Sequence, residues 1–344
     1  MRGIVIHAPK DLRVEEAPDQ SLGPHDVRVR IEMGGICGSD LHYFNHGGSG
    51  FIRIREPMAL GHEVAGTIAE VGDAVTCVAI GARVSVNPSR HCGHCRYCNE
   101  GLHNHCQDMR FIGSAMRFPH VQGGFRESLV VDESQAIAIA NTLTMAEASM
   151  AEPLAVGLHA VHRAGSLVGK RVLVIGCGPI GSLVIMAARH AGAEEIIATD
   201  VQAFALDIAR KCGADIAINV AEEPNGLADL VKRSGPLDVI FEASGNAAAL
   251  RAALELLRSR GLALQLGLGG EMPLPTNILV TREIELRGTF RFTSEFALAV
   301  DLMNRGRIDV KPLMTATVPF TDARAGFELA GDRSRSTKVL LSFA

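Results

Sequence analysis

Hydrophobic and polar positions follow two different rhythms along this chain. Between residues 170 and 200 the sequence KRVLVIGCGPIGSLVIMAARHAGAEEIIATD passes from a β-branched apolar stretch through a glycine-rich break into a longer apolar segment. A second short apolar stretch follows and ends on an acid. The pattern predicts a strand, a tight turn, an amphipathic helix and a strand. The rhythm continues in strand IAINV at 216–220, strand LDVIFEASG at 237–245, helix NAAALRAALELLRSR at 246–260, strand LALQLGLGG from 262 and strand IELRGTF at 284–290. Such alternation predicts an α/β doubly wound parallel sheet of six strands. Upstream, short β-like runs such as VRVRIEM, AGTIAEV and ARVSVN stand between glycine-rich loops, which suits an all-β lobe.

Length and composition narrow the picture. A chain of 344 residues exceeds one ordinary core, at about 150 residues per domain, so two lobes with a cleft between them are expected. With 47% hydrophobic and 21% charged residues and a net charge of −4, the chain has neither a basic stripe for nucleic acid nor an acidic tail. The longest apolar run, VLVIGCGPIGSLVIMAA at 172–188, is interrupted by glycines and a proline, which argues for strand, turn and packed helix rather than a membrane span. The opening MRGIVIHAPKDLRVEE lacks the apolar core of a secretory signal, and a cytoplasmic protein is expected.

The stretch HCGHCRYCNEGLHNHC, residues 91–106, carries the spacing Cys92-x2-Cys95-x2-Cys98-x7-Cys106. Four thiolates on short loops suit a closed tetrahedral zinc site, structural because it leaves no open position for substrate. Unligated thiols, a labile disulfide and an iron–sulfur cluster are the alternatives. His91, His94, His103 and His105 read as solvated loop residues, and Cys77, Cys177 and Cys212 as small buried hydrophobes. Gly176-x-Gly178-Pro179-Ile180-Gly181 follows a strand and opens a helix, and Asp200 closes the next strand, which is the context of a dinucleotide-binding turn. Asp200 is expected to accept from the adenine ribose hydroxyls and so to favour NAD over NADP; a helix N-cap is its alternative role.

The segments GHEVAGTIAEVGDAV at 61–75, GGICGSDLHYF at 34–44 and MAEPLAVG at 150–157, with the cysteine cluster, resemble the zinc-dependent medium-chain alcohol and polyol dehydrogenases over the whole chain. The resemblance implies a GroES-like catalytic domain of residues 1–152 and 291–344, a Rossmann NAD-binding domain of residues 153–290, and two zinc ions per chain. By position, Cys37 and His62 bind the catalytic zinc, and Glu63 and Glu152 compete for the third place, Glu152 being otherwise a base that holds water. A zinc held by about three protein ligands keeps a vacancy at which an alcohol becomes acidic enough to lose its proton near neutral pH. Ser39 and His42 match the family's proton relay, Asp40 its partner of the zinc histidine, and Leu266, Gly267 and Leu268 its nicotinamide-facing loop.

Glu152 together with GTFRF at 288–292 is similar to the polyol branch, in which Arg291 would meet substrate hydroxyls and Tyr43 is a further contact. The stretch DLHYFNHGGSGFIRIREPMALGHE is most similar to bacterial members that oxidise the C5 hydroxyl of L-idonate, and Arg53, Arg55 and Arg117 are extra cations for such a sugar acid. A neutral polyol such as sorbitol or xylitol is the main alternative substrate. A catalytically silent NAD-binding scaffold is the third reading, and the intact Cys37, His62 and glycine turn speak against it. Family resemblance further implies a dimer or tetramer, with a homotetramer usual in the polyol branch.

Overall fold

The computed structural model describes residues 1–50 and 52–343. Six parallel strands, Arg171–Ile175, Glu195–Asp200, Ile216–Asn219, Leu237–Glu242, Leu257–Gln265 and Glu285–Gly288, form one sheet in the spatial order third, second, first, fourth, fifth, sixth. Side chains along Arg171–Ile175 alternate between faces as a strand requires: Val172 and Val174 enter one apolar cluster, Leu173 and Ile175 the other. Each such fully buried aliphatic side chain contributes about 1.5–3 kcal/mol. The strand order reverses between Arg171–Ile175 and Leu237–Glu242, and the crevice beyond their carboxyl ends is where this architecture binds ligands.

Two sequence expectations change here. The helix expected over 246–260 stops at Leu254, and Leu257 already pairs with Leu237 in the sheet. After an irregularity in which Arg260 takes φ 57°, regular pairing resumes at Val239–Leu262. Leu250, Leu254 and Leu257 have helical spacing, but the sheet backbone offers Leu257 a better partner, and tertiary pairing overrides propensity. The last strand ends at Gly288 rather than at residue 290, because Arg291 adopts φ 53° and turns the chain off the sheet.

The other lobe is built on a seven-stranded sheet whose central strand, Asp26–Gly35, pairs with Glu63–Val71 and Ser128–Asp132. Its third neighbour is Lys338–Ser342, so the end of the chain returns to the beginning. Helix Ala151–Ala164 packs on helices Pro179–His190 and Glu295–Asn304, linking the lobes. Among the described residues no helix is long and apolar enough to cross a membrane.

Candidate active site and metal centres

Two tight turns build the pocket around Cys37, His62 and Glu63. Cys37 is the N-cap of helix Gly38–His46, and His62 precedes strand Glu63–Val71, whose Glu63 pairs with Gly35. One ligand atom each from Cys37, His62 and Glu63 lie within 4.8 Å of one another. Glu152, in the first turn of helix Ala151–Ala164, is buried close enough to feel them but is not part of that cluster. Burial pushes the Cys37 thiol up to about 12, and Glu63 adds to the effect. The Glu152 carboxyl rises to about 8 through burial, partly offset by His62 and reinforced by Glu63 and Cys37. Two buried carboxylates beside a partly buried thiol, with His62 Nδ1 and Glu63 Oε1 lacking hydrogen-bond partners, fit a divalent cation with sulfur, nitrogen and oxygen donors.

Asp40 differs from expectation. Its Oδ1 is 3.8 Å from His62 Nδ1, beyond hydrogen-bonding range. Instead Oδ2 accepts from the Cys37 N–H at 3.0 Å and Oδ1 from the Gly61 N–H at 3.2 Å, so a wholly buried carboxylate brackets the two ligand-bearing turns. Sequence reasoning missed Lys338. This fully buried lysine lies against the Glu63 carboxylate and donates to the Ile36 carbonyl at 3.0 Å. Burial opposes its charge, but Glu63 and Cys37 outweigh that and hold its pKa above the ordinary value.

Ser39 and His42 sit one turn apart on helix Gly38–His46, Ser39 half-buried and His42 exposed. Partial burial, then His46 and Arg333, depress the His42 pKa. Tyr43 is buried, and its hydroxyl accepts from the Ala115 N–H at 3.0 Å. The Arg291 guanidinium lies 4.1 Å from the Phe111 ring centroid and 4.9 Å from that of Phe290. Burial lowers its pKa to about 10 while Glu152 and Tyr43 pull it back up, and among the described residues it has no carboxylate within ion-pair distance. The other expected cations have partners of their own. Arg53 donates to the carbonyls of Gly50 and Ile52, Arg55 stacks 4.4 Å from the Phe118 centroid, and Arg117 pairs with Asp108.

On the nucleotide side, a Cβ on Gly181 would stand 1.8 Å from the Gly176 carbonyl oxygen, whereas one on Gly178 would meet nothing within 4 Å. Gly178 caps helix Pro179–His190, and a helix N-terminus with no side chain at its cap is suited to a pyrophosphate, because first-turn N–H groups and the dipole favour an anion there. The Asp200 carboxylate is already engaged: it accepts from the N–H groups of Cys177 and Val201 at 2.7 Å each and of Gln202 at 2.9 Å. The N-cap of the next helix, Ala203–Lys211, is Gln202, so Asp200 is not the cap. Leu268 is 88% exposed beside Gly267, whose missing side chain lets it approach Gly245. Glu242, another residue the sequence did not flag, is wholly buried and accepts from the N–H groups of Ser244 and Gly245 and from Gln265 Nε2 at 2.6 Å. An acid closing the buried run LDVIF was the available signal.

The four cysteines converge. Sulfur atoms of Cys92 and Cys98 are 3.9 Å apart and those of Cys95 and Cys106 4.0 Å. A tetrahedral Zn–S₄ centre with bonds of about 2.3 Å has edges of about 3.8 Å. All four thiols are free, and backbone N–H groups of Cys92 and Asp108 point at the Cys106 sulfur at 3.2 and 3.4 Å. Backbone N–H groups, that of Gln107 first, draw the Cys95 thiol down to about 6. His91 stacks on His103, with centroids 4.0 Å apart. Cys177 and Cys212 are buried, but Cys77 is exposed, its sulfur turned to the Glu133 carbonyl.

This combination of fold and site defines a class. Residues 23–141 match the family described as alcohol dehydrogenase GroES-like domain, and residues 179–305 match the one described as zinc-binding dehydrogenase. The chain belongs to the zinc-dependent medium-chain dehydrogenases, oxidoreductases that act on CH–OH groups with NAD(P), and its fold is the expected GroES-like lobe joined to a Rossmann sheet. Among particular proteins, it is 44% identical over 316 residues to the L-idonate 5-dehydrogenase (NAD(P)(+)) of Escherichia coli (strain K12), covering 92% of this chain and 91% of that protein. The crystal structure of the Escherichia coli L-idonate 5-dehydrogenase aligns with a TM-score of 0.94 at 42% identity, covering 99% of this chain and 98% of that one. Sorbitol dehydrogenase of Bacillus subtilis (strain 168) is 34% identical over 319 residues, 92% of this chain and 89% of that protein.

Proposed function

We propose that this chain oxidises the C5 hydroxyl of L-idonate to give 5-keto-D-gluconate, with NAD as hydride acceptor. The observation that carries the reading is Arg291, a cation without a carboxylate partner among the described residues, held between two aromatic rings and within the field of Glu152. A sugar acid brings a carboxylate and several hydroxyls, and a guanidinium fork binds both through paired donors. The 44% identity to an L-idonate 5-dehydrogenase supports the same substrate. A neutral polyol is the second reading, favoured by the 34% identity to a sorbitol dehydrogenase.

Cys37, His62 and Glu63 would hold a zinc ion, with Glu152 near enough to exchange for Glu63 or to fix a water; the ion supplies the Lewis acidity that lets a secondary alcohol lose its proton and its carbon donate hydride. Lys338 balances the Glu63 charge, and Asp40 keeps the two ligand turns together. The Ser39 hydroxyl would accept the alcohol proton as it passes its own proton on towards the exposed imidazole of His42, whose pKa partial burial lowers. The glycine turn from Gly176 to Gly181 carries the pyrophosphate, Asp200 repels a 2′-phosphate, and Leu266 to Leu268 contact the nicotinamide. Cys92, Cys95, Cys98 and Cys106 would hold a second, structural zinc. We assign residues 1–152 and 291–344 to the catalytic domain and 153–290 to the NAD domain, in a cytoplasmic homotetramer.

Initial rates of NADH formation test the substrate. L-idonate is expected to give a higher kcat/KM than sorbitol or xylitol, and the reverse order would reject the sugar-acid reading. The same assay with NADP in place of NAD is expected to lose at least about ten-fold in kcat/KM, the effect of one uncompensated like charge.

A further inference from the structure

We infer that Asn104, in the cysteine lobe, is a positioning residue that sets where Arg291 stands and so how tightly the polar end of the substrate is held. The inference rests on the reading of Arg291 given above. Asn104 lies in the single turn His103–His105 just before Cys106 and is 5% exposed. Its Nδ2 donates at 2.8 Å to the carbonyl of Phe290, 186 residues away, and among the described residues no other group donates to that oxygen. The Phe290 carbonyl belongs to the peptide plane that leads into Arg291, so fixing it fixes one side of the Arg291 φ torsion.

That torsion needs holding. Arg291 has φ 53°, a left-handed conformation that costs a non-glycine residue free energy and persists only when its surroundings impose it. The sheet does not impose it, because the strand has ended at Gly288 and the last ladder-like bond is from the Thr289 N–H to the Gln265 carbonyl at 3.1 Å. Burial of Phe290 does not impose it either, since that side chain is 43% exposed. On the far side, the Thr293 N–H is tied to Glu295 at 2.7 Å. On the near side stands Asn104.

The lobe also supplies a wall of the guanidinium slot. Phe111 packs in the cluster of Cys98, Cys106 and Met109, its ring is 5.5 Å from that of His62, and Arg291 stacks on it. His105 faces Phe290 with centroids 6.0 Å apart. The four-cysteine lobe therefore grips the Arg291 turn by a hydrogen bond and two ring contacts, which gives a structural metal site a consequence for substrate affinity.

The test uses the holoenzyme and two variants, Asn104→Ala and Asn104→Leu, the second keeping the side-chain volume while removing the donor. With saturating NAD, KM for L-idonate is expected to rise about five-fold, the equivalent of one net hydrogen bond. Expected values of kcat stay within about two-fold, since the interaction serves ground and transition states alike. KM for NAD and the zinc content are expected to be unchanged. In an Arg291→Ala background the Asn104 substitutions are expected to raise KM no further. Equal rises in both backgrounds, or a parallel rise in KM for NAD, would overturn the inference. Loss of metal or of the folded state in both variants would also overturn it, by making Asn104 a residue of the lobe's own fold. If Arg291→Ala raises KM and neither Asn104 variant does, only the inference falls; if Arg291→Ala leaves KM unchanged, the substrate reading falls and the inference with it.

Discussion

Glu295 is a buried carboxylate with four hydrogen bonds and, among the described residues, no lysine or arginine within ion-pair distance. Its donors are Nδ1 of His159 and His162 at 3.0 and 3.1 Å and the N–H and hydroxyl of Thr293 at 2.7 and 3.0 Å. Burial alone would raise its pKa, but the bonds from His159 and the backbone prevail and hold it far below the ordinary glutamate value of 4.5. A depressed folded-state pKa contributes stability above the unfolded value and loses it as pH falls through the folded one. Glu295→Gln is therefore expected to lower stability by about 2 kcal/mol near neutral pH, the scale of a hydrogen-bonded charge. The deficit should narrow steadily below pH 4.5, where the unfolded chain takes up the proton. Urea midpoints of both proteins at about pH 7 and about pH 4 check this, and an equal gap at the two pH values would contradict it.

At the scale of an element, the glycine turn separates two reasons for lacking a side chain. Gly181 is needed by the protein, because a Cβ would run into the backbone oxygen of Gly176. Gly178 meets nothing of the protein, so its missing side chain serves whatever approaches the helix N-terminus. Gly178→Ala is thus expected to leave the thermal midpoint within a few degrees of wild type yet weaken NADH binding about ten-fold or more, read by fluorescence titration. Gly181→Ala is expected to lower both, with a stability loss of about 1–3 kcal/mol from overpacking. Undiminished NADH binding by Gly178→Ala would remove that cradle from the cofactor site. The sequence also carried two elements too far: leucines at helical spacing extended a helix past Leu254, where only the proximity of Leu237 reveals the strand that begins at Leu257, and the last strand stops at Gly288.

At the scale of the whole molecule, two side-chain clusters that could hold a metal ion, Cys37 with His62 and Glu63 and the four cysteines from Cys92 to Cys106, lie on one lobe. Elemental analysis is expected to find about two zinc ions per chain. Cys37→Ala and His62→Ala are each expected to remove about one of them and cut kcat by at least about 10³-fold while NADH still binds, because the glycine turn is on the other lobe. Cys98→Ser is expected to remove the other ion, lower the thermal midpoint and raise KM for substrate more than for NAD. Unchanged turnover in a metal-depleted His62→Ala enzyme would refute the assignment of that pocket as the reactive centre.

The sequence by itself determined what short loops can encode. Cys92, Cys95, Cys98 and Cys106 meet because x2 spacings leave few ways to turn, and the run from Gly176 to Gly181 carries within itself the glycines its tight turn requires. Cys37, Ser39 and His42 keep their relation because one helix carries them. Only the tertiary structure decided that Lys338 faces Glu63, that Asp40 spans the Cys37 and Gly61 turns instead of bonding to His62, and that Asn104 holds the carbonyl before Arg291. Apart from the Cys37 N–H, which Asp40 meets from three residues away, these partners come together through sheet register and lobe packing over long stretches of chain. A buried charge or a carbonyl without its sheet partner has to be satisfied by whatever that packing brings near, and local spacing holds no record of which residue it will be.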